Sequence, residues 1–300
     1  MYHLLKKYKL TSLHLMVVIL GVTGVLGKLI LENFEEYGSK LGTIHLVWYR
    51  MGIAFVGLAL FLLFKKQLFS ISKQDFLGIL GVGALVTLHW LCFFQSIKVS
   101  TVSVAVVCLA TSSLFSALIE PLFFKRKLLA YEVIMGVIVL AALAFVMGTD
   151  TQYIWGYFYG IIAAFLGTLF TLFNAKYINK VGAAQITMIE MLAGVLIISC
   201  LLLFQQDYKV FTTLISATDF TYLLILGIVC TALVFVWMTE IMRHITPFSL
   251  IMGINMEPIY SILLALLIFK DSEFMSPSFY IGGSIIIGVI FLEGYRKNKQ

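Results

Sequence analysis

Charged side chains are scarce in this 300-residue sequence: Asp, Glu, Lys and Arg make up 12% of it, against about 25% in a typical soluble domain. With 61% hydrophobic residues and a mean hydropathy of +1.02, the chain cannot build a water-facing coat, which excludes a soluble globular protein. Cysteine is also rare. Cys92, Cys108, Cys200 and Cys230 lie in apolar runs without paired spacing, which excludes a disulfide framework and a zinc site and leaves them as small packing residues. The sequence has no His-Glu-x-x-His, no pair of metal-binding aspartates and no nucleophile with a base close by. The marks of an intramembrane enzyme acting on a lipid or small amphipathic substrate are therefore missing, and no catalytic, metal or cofactor site is expected. Gly27-Lys28 has the ending of a phosphate loop, but Val22 stands where its first glycine belongs and Leu29 where Ser or Thr belongs. No connection is long enough for a nucleotide-binding domain, which argues against an ATP-driven pump. A passive channel would differ from a carrier in showing neither saturation nor counterflow.

What the sequence does have is long apolar runs, each near the roughly 20 residues that cross a hydrocarbon core of about 30 Å. Spans are expected near 12–31, 44–64, 76–95, 102–122, 133–148, 155–174, 183–204, 220–239, 247–268 and 279–295. Lys6, Lys7 and Lys9 precede a run too long for a secretory signal and without an Ala-x-Ala site, so that run is expected to stay as the first span. The net charge of +6 comes in small basic clusters between runs, a pattern of membrane topology rather than of nucleic-acid binding. With the N-terminus cytoplasmic, fifteen basic residues fall inside: Lys6, Lys7, Lys9, Lys65, Lys66, Lys73, Lys125, Arg126, Lys127, Lys176, Lys180, Arg243, Arg296, Lys297 and Lys299. Four fall outside, Lys40, Lys98, Lys209 and Lys270, and Lys28 and Arg50 lie within spans. A missed or extra span would scramble that alternation, so both termini are expected in the cytoplasm.

The chain also repeats itself at a shift of 145 residues. Phe115 then meets Tyr260, Ser116 meets Ser261, Phe124 meets Phe269 and Lys125 meets Lys270; Gln95 meets Glu240, Lys98 meets Arg243 and Thr101 meets Thr246. Five spans per half is an odd number, so the second copy is inverted. The expected fold is an all-α integral membrane protein of ten transmembrane helices in two inverted five-helix repeats, residues 1–148 and 149–300. Gly21, Gly24 and Lys28 share a face of the first span, as do Gly156, Gly160, Ala163 and Gly167 of the sixth, and small residues let helices approach closely in lipid.

The stretches Gln95 to Lys127 and Glu240 to Lys270, with the string Asn255-Met256-Glu257-Pro258-Ile259-Tyr260, resemble the drug/metabolite transporter superfamily in its EamA-type branch of ten-helix bacterial permeases. The resemblance covers essentially the whole chain. It implies a secondary transporter of a small metabolite such as an amino acid, exporting it by alternating access across the bacterial cytoplasmic membrane. Proteins of that branch commonly carry a proline in the middle of the fourth span. Here Thr111-Ser112-Ser113 stands there and Pro121 lies nearer the inner end, so only the ninth span has a central proline.

The deepest ionisable residues are the candidates for substrate contact, because each is costly to insert. Glu257 lies halfway along the ninth span beside Pro258, which removes an amide and breaks the helix. Gly253, Tyr260 and Ser261 are spaced to share its face. Such a carboxylate suits a substrate amine or a coupling proton; the alternative is a structural kink. Arg50 follows Trp48 and Tyr49 in the outer third of the second span and suits a carboxylate, or else snorkels beside an aromatic belt. Glu190 in the seventh span stands inverse to Arg50, as a ligand contact, a gate or an interhelix bond. His89 and Trp90 lie level with Arg50 on the third span, while Trp237 reads as interfacial. Asn174, Asn255 and Thr111 complete the polar candidates. The expected partners are a small-molecule substrate and the lipid bilayer; nothing in the sequence sets an oligomeric state.

Overall fold

The computed structural model describes residues 9–36, 41–67 and 71–297, so Lys6, Lys7, Lys40 and Lys299 lie outside the described residues. Every described regular element is helical. The first three spans are Lys9–Glu36, Thr43–Phe64 and Lys73–Val99. The fourth is two helices, Val102–Leu109 and Ser112–Phe124, and the fifth is Ala130–Thr149. In the second half, Ile154–Tyr177 and Ala183–Phe204 are followed by an eighth span, Ala217–Leu224, Ile225–Leu233 and Val234–Ile241, whose middle segment widens into π geometry. The ninth is again two helices, Pro247–Ile254 and Glu257–Phe269, and the tenth is Pro277–Lys297. Among the described residues nine of these are long and apolar enough to cross a membrane, and Pro277–Leu292 supplies a shorter apolar stretch for the tenth.

Several spans run past the expected ends because a cap extends them. Ser72 accepts a hydrogen bond from the Asp75 amide, which draws Lys73 and Asp75 into the first turn of the third span. That device recurs 144 residues later, where Ser216 accepts from the Asp219 amide at the start of the eighth. Thr101 and Thr246 cap the fourth and ninth spans in the same way, 145 apart. At the second and seventh spans, the Gly42 amide donates to His45 Nδ1 and the Gly182 amide to Gln185 Oε1. Even the left-handed non-glycine residues are paired: Lys66 with Gln206, and Lys125 with Lys270. The two halves are therefore copies in their joints, well beyond the sequence matches.

The fourth span breaks at the same relative place as the ninth, against the expectation from its missing proline. Ala110 and Thr111 interrupt it as Asn255 and Met256 interrupt the ninth. Side chains replace the proline: Thr111 Oγ1 donates to the Cys108 carbonyl at 2.7 Å and Ser113 Oγ to the Ala110 carbonyl at 2.8 Å, competing with the helical ladder. The two breaks also hold each other. Ser112 Oγ donates to Asn255 Oδ1 at 3.0 Å, and Asn255 Nδ2 to the Ala110 carbonyl at 3.4 Å.

Without a hydrophobic drive between helices in lipid, close packing holds the spans together, and glycines set how close they come. A Cβ on Gly160 would fall 2.6 Å from that of Cys108, one on Gly21 2.6 Å from that of Tyr260. Gly156 and Gly167 meet Ser100 and His89, so the small-residue face of the sixth span does allow a close approach, and the spans it presses on are the third and fourth. Of the cysteines, Cys108 and Cys230 are buried in packing, whereas Cys200 is exposed, on a surface whose apolar side chains suit lipid. The fifth and tenth spans pack on each other, away from the first, second and third. Residues 65–67 and 71–72 and the connections 125–129, 178–182 and 242–246 mark one end of the bundle, the basic end. At the opposite end Glu273, fully buried, accepts from Lys28 Nζ at 2.8 Å, from the Val102 and Ser103 amides and from Ser103 Oγ. At the basic end Arg126 reaches Glu120 at 3.3 Å and Glu132 at 2.7 Å.

Candidate functional site

A central cavity lies where the first, second, third, fourth, sixth, eighth and ninth spans converge. Its wall is built from pairs of residues 145 apart: Leu109 with Ile254, Ser112 with Glu257, Trp90 with Phe235, and Phe93 with Met238. Trp90 and Phe235 touch edge to face, their centroids 4.9 Å apart. Upon this symmetric frame the charges are placed once each. Glu257 has Ser112 as its counterpart, and Arg50 on the second span contributes the cation.

Arg50 is 1% exposed, so it does not snorkel to an interface. Its guanidinium lies over the Trp90 ring at 3.9 Å and 5.5 Å from that of Phe94, a cation–π arrangement that offsets part of its desolvation. The π segment of the eighth span receives the rest. Thr231 Oγ1 donates to the Leu226 carbonyl five residues back, at 2.6 Å, and accepts from Arg50 Nε at 2.6 Å; the Cys230 carbonyl accepts from Nη2 at 3.4 Å. Such π turns occur at functional sites because they misalign carbonyls that an α-helix would use itself. The remaining nitrogen, Nη1, has no partner among the described residues.

Glu257 opens the second helix of the ninth span, directly after the break, with 5% exposure. Its carboxylate makes no hydrogen bond or ion pair among the described residues, and it faces the same cavity as Arg50, near enough for the two charges to interact. His89 Nδ1 lies 2.7 Å from the Ala163 carbonyl. A carbonyl only accepts, so that nitrogen carries the proton and Nε2 is the acceptor in the neutral ring. The imidazole stacks on Phe93 and meets Phe170 edge-on.

Five of the nine expected residues thus line one cavity: Arg50, His89, Trp90, Asn255 and Glu257. The other four do not. Thr111 turns its hydroxyl back onto Cys108, and its neighbour Ser112, one residue or about 100° around the helix, takes the cavity position. Tyr260 faces the first span, packed over Gly21 with its hydroxyl 2.7 Å from His14 Nε2, because the break before Glu257 rotates the second helix of the span away from the face that a continuous helix would share. Gly253 likewise packs on Leu13, and Ser261 donates to the Gly21 carbonyl. Glu190 and Asn174 bond to each other at 2.7 Å, outside the cavity lining. Trp237 donates to Ser12 on the first span at 2.7 Å.

Sequence reasoning missed Ser112 and the aromatic pair Phe170 and Phe235. The 145-residue shift, carried to Glu257 and Trp90, lands on Ser112 and Phe235 and was the signal that could have found them; Phe170 left no signal beyond its place three residues after Gly167.

Two stretches, residues 8–148 and 154–293, match the EamA-like transporter family. A solved crystal structure aligns with a TM-score of 0.61 at 14% identity, covering 90% of this chain and 94% of the other, a likeness of fold alone. Among curated proteins none matches.

Proposed function

Because the chain belongs to the EamA-like transporter family, a family of membrane transporters rather than enzymes, we propose that it carries a small zwitterionic metabolite, an amino acid, by alternating access. The observation that carries this reading is the opposed pair in one aromatic-lined cavity: the free Nη1 of Arg50 and the unpaired carboxylate of Glu257. A substrate carboxylate completes the hydrogen bonding of Arg50, and its amine answers Glu257. Trp90, Phe93, Phe170 and Phe235 accommodate an apolar side chain between them. A carboxylate facing the cavity is also a group that exchanges a substrate amine for a proton, so Glu257 serves either as amine ligand or as the coupling site. In this reading the basic end faces the cytoplasm of a bacterium, both termini lie inside, and transport runs outward.

The test is saturable, pH-dependent flux in proteoliposomes, normalised to folded protein. Losing a charge-assisted hydrogen bond costs about 1.5–3 kcal/mol, so Arg50→Ala should raise KM for a zwitterionic amino acid by about 10- to 100-fold. Arg50→Lys should restore part of it, since an ammonium lacks the planar fork. Glu257→Gln should lower flux and flatten its pH profile while leaving affinity for the carboxylate end intact. Wild-type KM in Arg50→Ala together with an unchanged profile in Glu257→Gln sinks the zwitterion reading.

A further inference from the structure

One helical turn beyond the cavity, toward the basic end, three buried oxygens have no hydrogen-bond partner among the described residues: Glu190 Oε2, Asn174 Oδ1 and Thr187 Oγ1. All three residues are 0% exposed. Asn174 follows Thr171, which lines the cavity, on the same face of the sixth span. Its amide nitrogen donates to Glu190 Oε1 at 2.7 Å. Thr187 precedes Glu190 by one turn on the seventh span, and residues three apart on a helix are neighbours. The third span seals the site: a Cβ on Gly83 would lie 2.8 Å from the Cα and the carbonyl oxygen of Glu190. Among the described residues, no charged side chain of the second, third or eighth spans, which pack along the seventh, reaches Glu190, and its one polar partner is Asn174 of the sixth.

Carboxylate and amide oxygens only accept, and leaving a buried acceptor unmet costs about 1–3 kcal/mol. Of the three only the Thr187 hydroxyl can also donate, and it has one proton to give, so at least one of the two pure acceptors is left to be answered by a positive centre. We propose that Glu190, Asn174 and Thr187 bind a small monovalent cation, a proton or a sodium ion, at a site separate from the central cavity. A proton on Glu190 Oε2 makes that oxygen a donor to Asn174 Oδ1 and closes a two-way acid–amide pair. A sodium ion instead bridges the free oxygens directly. Either way the cation ties the sixth span to the seventh at the basic end, and parting those spans releases it. This binding claim does not depend on the zwitterion reading of the cavity.

Thermal unfolding of the purified protein, followed by tryptophan fluorescence, tests it in sodium chloride against choline chloride at matched ionic strength across a pH series. A ligand that binds only the folded state raises Tm by mass action, here by about 2–4 °C for each kcal/mol of linkage. A sodium site gives a wild-type Tm that rises with sodium and loses the rise in Thr187→Val. A proton site gives a Tm in choline that falls as pH rises, with Thr187→Val unaffected. In both cases Glu190→Gln, whose amide supplies the missing donor to Asn174, should fold with a Tm that depends less steeply on the ion concerned than the wild type's. Should that variant not fold, Glu190→Leu, which fills the space without a titratable or ligating group, must abolish the same dependence. A wild-type Tm indifferent to both ions, or a dependence equally steep in Glu190→Gln, overturns the proposal.

Discussion

Glu273 shows how a charge is kept inside this protein: four donors converge on it, one a lysine and two the opening amides of the fourth span. The carboxylate also meets the positive end of that helix. Removing one member of a buried pair costs about 3–5 kcal/mol, so Glu273→Ala should lower Tm by on the order of 10 °C. Glu273→Gln should lose less, because its amide oxygen still accepts from Val102 and Ser103; equal losses in the two variants would show that the charge carries the whole effect and the retained acceptor none of it. Residues of this kind differ in how far sequence betrays them. Arg50 and Glu257 were legible because an ionisable group in an apolar run is expensive and rarely idle. The partners of Arg50 were not legible, since the Cys230 carbonyl and the Thr231 hydroxyl become available only through the π geometry of the eighth span. Glu190 stood inverse to Arg50 in the repeat, yet the bare backbone of Gly83 lets the third span cover it, and it turned to Asn174 instead of the cavity.

Whole helices were read from apolar runs with ends displaced by a few residues, and the displacement has a cause in each cap. Ser72 and Ser216 draw polar residues into a first turn that hydropathy alone assigns to a loop. The breaks divided differently: Pro258 announced the one in the ninth span, while the one in the fourth depends on where two hydroxyls bond. Contacts between helices make a sharper prediction. Gly83→Ala forces a methyl against the Glu190 backbone and Ala193 and should cost about 1–3 kcal/mol as overpacking does. Gly81→Ala, two residues away with nothing within 4 Å of its Cβ, should be neutral or gain up to about 1 kcal/mol from helix propensity. Paired Tm measurements check this, and equal effects would mean that the third and seventh spans are not pressed together there.

For the molecule as a whole, the basic clusters decide orientation. In a variant lacking the four cysteines, a thiol at Thr212 should react with an impermeant reagent from outside intact cells, and thiols at Lys127 and Lys180 only after permeabilisation. The reverse pattern at these positions would invert the protein in its membrane and exchange import for export in the transport reading. The two halves share caps, breaks and cavity walls, but they do not share the means of breaking. Ser113 stands where the ninth span has Pro258, and its amide still donates to the Ala110 carbonyl at 3.2 Å, a bond that a proline nitrogen cannot make. The fourth span can therefore re-form an unbroken helix when its hydroxyls let go, whereas the ninth cannot. In mechanical terms one joint is a spring and the other a fixed elbow, linked where Ser112 meets Asn255. A frame that is symmetric at rest is thereby given unequal stiffness, and its two mouths will not open as mirror images of one another.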